Sequence, residues 1–212
     1  MHILGLMGTR GAGKDTVYKS LYATGVPVVR FAFADELKEQ CHKLFGVPRE
    51  ILWGTQEQKD NTLTKVLWKN IPKSAAEAFF QDRDVDRSDS SDPLTVRELT
   101  QLWGTEICRK FDGDCWINVL RAAYPPEKML SEQKGSIVIV TDVRFDNESA
   151  CIQTDYTDGI VCGLTRGEVS DGHKSEDVPF HLTDHMLDNR ELSFWEQRDF
   201  FIDLFKKQGW IP

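Results

Sequence analysis

The sequence has no C-x-x-C spacing, no long apolar run and a shortage of basic residues, and each absence closes off a class of protein. Five cysteines (Cys41, Cys108, Cys115, Cys151 and Cys162) leave one over in any full pairing, which suits a reducing compartment and offers zinc no ligand pair. No stretch approaches the length that spans a bilayer, and no basic segment followed by an apolar run opens the chain, so a cytoplasmic protein with no membrane partner is expected. Lys and Arg number 26 against 34 Asp and Glu, for a formal charge of −8 and a pI near 5.2. Such a surface repels polynucleotide phosphates, so no nucleic-acid polymer is expected as a partner and any phosphate site has to be a local basic pocket. Internal repeats are absent, and the one biased tract is an acidic run near residue 86.

What is present begins with residues 8–15, which read G-T-R-G-A-G-K-D between the apolar run Ile3 to Met7 and a helix-compatible stretch. A strand that feeds a glycine-rich turn into a helix N-terminus leaves several backbone N–H groups pointing at one spot, where an anion binds. Arg10, Gly11, Ala12, Gly13, Lys14, Asp15 and Thr16 are therefore the candidate nucleotide-binding residues. Glycine allows the close approach, and Lys14 brings a mobile charge to the β- and γ-phosphates. The usual Ser or Thr after the lysine is replaced by Asp15, with a hydroxyl one residue later at Thr16. A carboxylate also holds Mg²⁺, so the chemistry survives while the ligand assignment stays open.

The 212 residues, 40% of them hydrophobic, suit one domain over 1–212 with an insertion. The spacing predicts a helix over 14–23, a short strand over 27–33, a helix over 35–45, a strong helix over 94–111 opened by a Thr95/Glu98 capping box, and a helix over 114–123. Ile137 to Val140 reads as a buried parallel strand delivering Asp142 at its C-terminal end, where ligands of open α/β sheets bind. Further strands are expected at 160–164 and 185–187, then an amphipathic helix over 193–207. Its Phe194, Trp195, Phe200, Phe201 and Phe205 suggest a core or a homodimer contact. Residues 54–92 are polar, with one helix near 74–80, and read as an insertion. Asp82, Asp84 and Asp86 alternate as in a calcium loop, but Arg87 and Pro93 stand where glycine and glutamate are required, which leaves a solvated loop. The alternation predicts a three-layer α/β/α sandwich with a mostly parallel sheet.

A phosphate loop alone admits GTPases, motors, transport ATPases and small-molecule kinases. No N-K-x-D or L-S-G-G-Q motif is present, and the acidic surface disfavours a nucleic-acid motor. FADELK at 33–38, VRELTQLWGTEICR at 96–109 with Trp116 soon after, TDVRFDNE at 141–148, and Arg166 followed by GHKSE at 172–176 together resemble the bacteriophage deoxynucleoside monophosphate kinase family. The matches run in order from Gly5 to about Asn189, and the G-K-D form of the loop recurs in that family.

The resemblance implies a P-loop NTPase-type fold with a helical acceptor-binding insertion and a lid. It also implies a kinase, in the host cytoplasm if phage-encoded, that converts a deoxynucleoside monophosphate and ATP into the diphosphate and ADP with Mg²⁺, for DNA precursor synthesis. The acceptor is a phosphate monoester with a second pKa of about 6, so it needs no strong general base. The work is charge neutralisation. Lys14, Arg144 and Arg166 are the expected catalytic cations. Asp15, Thr16 and Asp142 form the expected Mg²⁺ neighbourhood, although Asp142 could instead cap a helix.

On the acceptor side the expected residues are Asp35, Lys38, Arg97, Gln101, Gly104, Thr105, Arg109, Trp116, Asp142, Arg144, Asn147, Glu148, His173 and Glu176. Asp35 alternatively caps a helix, Trp116 alternatively fills the core, and His173 alternatively sits in solvent. Arg97 and Arg109 lie twelve residues apart, about three turns of one helix, so one is expected on the acceptor phosphate and the other in a structural pair. Residues 166–178, with Lys174, read as a lid. Two other readings remain: a P-loop kinase of another phosphorylated metabolite, and a nucleotide-binding module without transfer.

Overall fold

The computed structural model describes residues 2–81, 83, 86–129, 136–166 and 179–212. The chain divides into two compact units. Among the described residues, the first runs up to Phe33 and resumes at Ile117, and the second is Ala34–Trp116.

In the first unit, the strands are β1 (His2–Met7), β2 (Val28–Phe31), β5 (Ile137–Val143), β6 (Ile160–Thr165) and β7 (His185–Asp188). They pair in the order β2-β5-β1-β6-β7, every pair parallel. The continuous apolar runs of β1 and β5 follow from burial on both faces. Side chains alternate across the sheet. Leu4, Leu6, Ile137 and Ile139 face a core shared with Val17 and Leu21 of α1 (Lys14–Ala23) and Phe201 and Phe205 of α10 (Phe194–Lys207). On the opposite face, α9 (Asp146–Asp155) packs so closely that a Cβ at Gly5 would lie 2.8 Å from Ile152 Cδ1. Arg121, on α7 (Cys115–Ala123), donates to Asp155 beside it. The unit is thus a sheet between two helical layers, the α/β architecture expected from the sequence.

Phe201 and Phe205 are fully buried in this core, while Phe194 and Trp195 remain 37% and 53% exposed. The amphipathic C-terminal helix therefore spends its inner aromatics on the fold itself. No helix among the described residues is long and apolar enough to cross a membrane.

The second unit is richer in structure than its polar sequence suggests. Between 54 and 92, where one helix was expected, lie α4 (Gln56–Asn61), β3 (Leu63–Leu67), a 3₁₀ turn (Trp68–Asn70) and α5 (Lys73–Phe80). Strand β3 pairs antiparallel with β4 (Pro93–Thr95). The core holds Cys41 of α2 (Phe33–Phe45), Leu52 of α3 (Arg49–Leu52), Trp68, Phe79, Phe80, Leu94 and Leu99. The expected helix over 94–111 is also divided. Thr95 ends the strand and forms the expected capping box with Glu98, opening α6 (Val96–Gln101), which passes into a π-helix over Leu102–Arg109. The wider i→i+5 winding of that segment removes the regular three-turn relation between Arg97 and Arg109.

Candidate active site

Parallel pairing sets the site at one edge of the sheet. Met7, the last residue of β1, is in register with Val143 of β5 and Gly163 of β6. The glycine loop that follows Met7 therefore leaves the same edge as Asp142 and Arg144, and as Arg166 just past β6. This is the C-terminal edge, where open α/β sheets bind ligands.

Gly11 and Gly13 carry φ of +81° and +98°, in the left-handed region that favours glycine. Gly13 is also the N-cap of α1 and has no side chain to cap it, so the first N–H groups of the helix are left to a ligand. Lys14 folds back over the loop, and its Nζ donates to the carbonyl oxygens of Gly8 at 2.6 Å and Thr9 at 2.9 Å. Ala12 is buried, Arg10 is half-buried, and Thr16 lies half-buried in the first turn of α1.

Two polar side chains with no prior assignment hold the loop from behind. Asn189 (3% exposed) and Gln197 (1% exposed) lie at the end of β7 and on α10. Asn189 Nδ2 donates to the Ala12 carbonyl at 2.8 Å, and Gln197 Nε2 approaches the Gly13 carbonyl at 3.5 Å. Their contacts reach across 177 and 184 residues of sequence, so no local pattern could announce them. The one available signal is a glutamine on the apolar face of an amphipathic helix.

Asp15 is exposed and faces Arg30 of β2, with Nε and Oδ1 3.4 Å apart. Asp142 accepts the backbone N–H of Phe33 at 2.9 Å, the first residue of α2. It therefore serves a helix N-terminus, though of α2 and not of the helix that follows it in sequence. Thr16 and Asp142 are hard oxygen donors placed at neighbouring elements of one edge. Such a set suits Mg²⁺, which takes one or two carboxylates together with phosphate oxygens and water. Among the described residues no three His, Cys, Asp or Glu side chains cluster as a cage made by protein alone.

Glu148 (2% exposed) turns inward, where its Oε2 accepts the N–H groups of Arg144 at 2.7 Å and Phe145 at 3.1 Å. It thereby caps α9 and fixes the turn carrying Arg144. Arg144 and Asn147 are half-buried, and Arg166 is exposed. Past β7, Arg190 makes a bidentate pair with Asp188, and its hydrogen bonds hold that carboxyl below the usual aspartate range.

In the second unit, Lys38 Nζ lies 3.3 Å from Asp35 and 5.2 Å from the centre of the Trp53 ring. Arg97 is bound by Asp60 and Gln56 of α4. Gln101 accepts from Arg83 at 3.3 Å, and Arg109 donates to the Gly113 carbonyl at 3.4 Å. Gly104 and Thr105 lie on the π-helix. Gly104 packs on Leu37, 3.0 Å from where a Cβ would stand, and its carbonyl accepts the indole N–H of Trp116 at 3.1 Å. Trp116 is 5% exposed and so part of the packing. His173, Lys174 and Glu176, which were expected in a lid, lie outside the described residues, as do Asp82 and Asp84.

No protein-family model matches the sequence. The deoxynucleoside-5'-monophosphate kinase of Escherichia phage T5 is 24% identical over 230 aligned residues, covering 89% of this chain and 89% of the phage protein. A protein of Acanthamoeba polyphaga mimivirus, whose name proposes a deoxynucleotide monophosphate kinase, is 25% identical over 159 residues, covering 72% of this chain and 69% of the viral one. The chain is a distant homologue of viral and phage deoxynucleoside monophosphate kinases. That descent supports a nucleotide-kinase-like role and implies phosphotransfer from ATP. It also accounts for a glycine loop at the edge of a parallel sheet whose neighbouring strand ends deliver one carboxylate and two arginines.

Proposed function

We propose that the protein is an ATP-dependent deoxynucleoside monophosphate kinase, which moves the γ-phosphate of ATP to a dNMP and yields dNDP and ADP. The observation that carries this reading is the glycine loop with Lys14 at the C-terminal edge of the parallel sheet, in a chain homologous to such kinases over most of its length.

In this account Lys14 leaves the carbonyls of Gly8 and Thr9 for the β- and γ-phosphates. The N–H groups at the start of α1 cradle the same anion. Thr16 and Asp142 would hold Mg²⁺, with Asp15 in reserve beside Arg30. The ion supplies charge neutralisation on the transferring group. Arg144 and Arg166 add cationic stabilisation where equatorial charge gathers, and Glu148 keeps the Arg144 turn in place.

Arg97 is the residue proposed for the acceptor monophosphate, with Asp60 and Gln56 orienting its guanidinium for a bidentate grip. Arg109 takes the structural part. Asp35, Lys38, Gln101, Gly104 and Thr105 contribute to holding the acceptor's sugar and base. Trp116 supports the π-helix through Gly104.

A coupled assay of ADP release across dNMPs, ribonucleoside monophosphates, phosphomevalonate and dephospho-coenzyme A tests the reading. Turnover is expected with at least one dNMP. Turnover with a metabolite and with none of the dNMPs would replace the acceptor, and no turnover with any of them would leave a binding module. Lys14→Ala separates enzyme from contaminant: the variant is expected to lose at least a hundredfold in kcat/KM while remaining folded.

A further inference from the structure

We propose that Asn189 and Gln197 are positioning residues for phosphotransfer, which aim the phosphate-binding amides by anchoring the carbonyls behind them. This rests on the reading of the glycine loop as the nucleotide site.

In a planar trans peptide the C=O and the next residue's N–H point in opposite directions. A side chain that fixes the Ala12 carbonyl therefore fixes the Gly13 N–H on the other side of the plane, and one that fixes the Gly13 carbonyl fixes the Lys14 N–H. Asn189 and Gln197 meet those two carbonyls in order, one peptide after the other. Both side chains are more than nine-tenths buried, so water cannot substitute for them at little cost and the amides act as fixed donors. The Gly13 carbonyl also accepts the Val17 N–H at 3.1 Å, the first turn of α1. Gln197 thus ties the orientation of the loop to the start of the helix.

Asn189 is itself held. Its backbone N–H donates to the Thr165 carbonyl at 2.8 Å, so it hangs from the end of β6 immediately before Arg166. Its neighbour Gly13 leaves no alternative. A Cβ there would stand 2.5 Å from Asn189 Nδ2 and 3.0 Å from Gln197 Nε2. Glycine at 13 is therefore required twice, for its left-handed φ and for the approach of the two amides. A residue chosen only to fill the core at 189 or 197 would be apolar. These positions instead carry donors aimed at the phosphate loop and at little else.

The test is ADP affinity by calorimetry, with Mg²⁺ present and no acceptor. Asn189→Ala and Gln197→Met each remove a donor, and the second keeps the volume and helix propensity of the original side chain. Each is expected to raise the ADP Kd on the order of tenfold, to raise KM for ATP, and to leave KM for the dNMP within about twofold. A merely structural role would lower the melting temperature without that split between the two substrates. A folded Gln197→Met or Asn189→Ala that binds ADP as tightly as the unaltered protein would overturn the proposal. If the unaltered protein itself binds no ADP, the kinase reading falls first and this inference falls with it.

Discussion

Asp142 has one observed role and one proposed role. It accepts the Phe33 N–H at the start of α2 and stands at the strand end where a Mg²⁺-binding carboxylate is wanted. Substitution by asparagine separates these roles, because an amide oxygen still accepts the N–H while the charge disappears. For Asp142→Asn the expected outcome is a melting temperature within about 2 °C of the unaltered protein. The Mg²⁺ concentration for half-maximal turnover should rise on the order of tenfold or more. An unchanged Mg²⁺ requirement would reduce Asp142 to a helix cap. Glu148 makes the complementary case. The motif around it was legible in the sequence, but its inward turn onto the Arg144 and Phe145 amides was not, since a carboxylate four residues past an arginine reads equally well as a ligand. Asn189 and Gln197 were silent for a different reason, because buried polar side chains acquire meaning only from the distant carbonyls they meet.

Elements were legible where local chemistry is strong. The run Ile137 to Val140 ending at Asp142 gave β5, the glycine loop gave the start of α1, and Thr95 with Glu98 gave a helix start that the structure reproduces as a full capping box. The 54–92 region hid its strand because β3 is barely buried: Leu63 is 62% exposed, so no apolar alternation marks it. The π-helix over Leu102–Arg109 was hidden too, since its apolar spacing fits an α-helix equally well and the wider winding comes from packing. Gly104 sits where Leu37 leaves almost no room and where Trp116 needs a carbonyl. The cap at Thr95 can be weighed directly. Thr95→Ala removes the acceptor for the Glu98 N–H and is expected to cost about 1 kcal/mol, which a thermal melt should register as a drop of roughly 2–4 °C. No drop would mean that tertiary packing alone holds α6.

At the scale of the whole molecule, Cys41, Cys151 and Cys162 are buried, while Cys108 and Cys115 are half-buried. All five thiols are free. Burial pushes Cys41 and Cys162 up to about 12 and Cys108 up to about 11. Because the folded protein holds these protons more tightly than the unfolded chain, whose thiols titrate near 9.0, the stability they contribute is complete below about pH 9 and is lost as pH rises towards 11 and 12. Denaturant melts should therefore show midpoints that decline steeply above pH 9, and Cys41 and Cys162 should resist thiol reagents at pH 8 until the chain is unfolded. A flat alkaline profile would contradict the burial assigned to these groups. The parallel sheet and the strand edge that carries Asp142 were legible because parallel α/β topology follows from alternating strands and helices. The division at Phe33 and Trp116 was not, since it depends on contacts and no linker of distinctive composition marks it.

Transfer of a phosphoryl group to a deoxynucleotide can be read by following the atom that moves. With γ-³²P-labelled ATP, Mg²⁺ and a set of dNMPs, the account predicts label in the β-position of a dNDP, formed in step with ADP and lost in Lys14→Ala. Label that appears only as inorganic phosphate, or that stays on ATP with every dNMP, would contradict it.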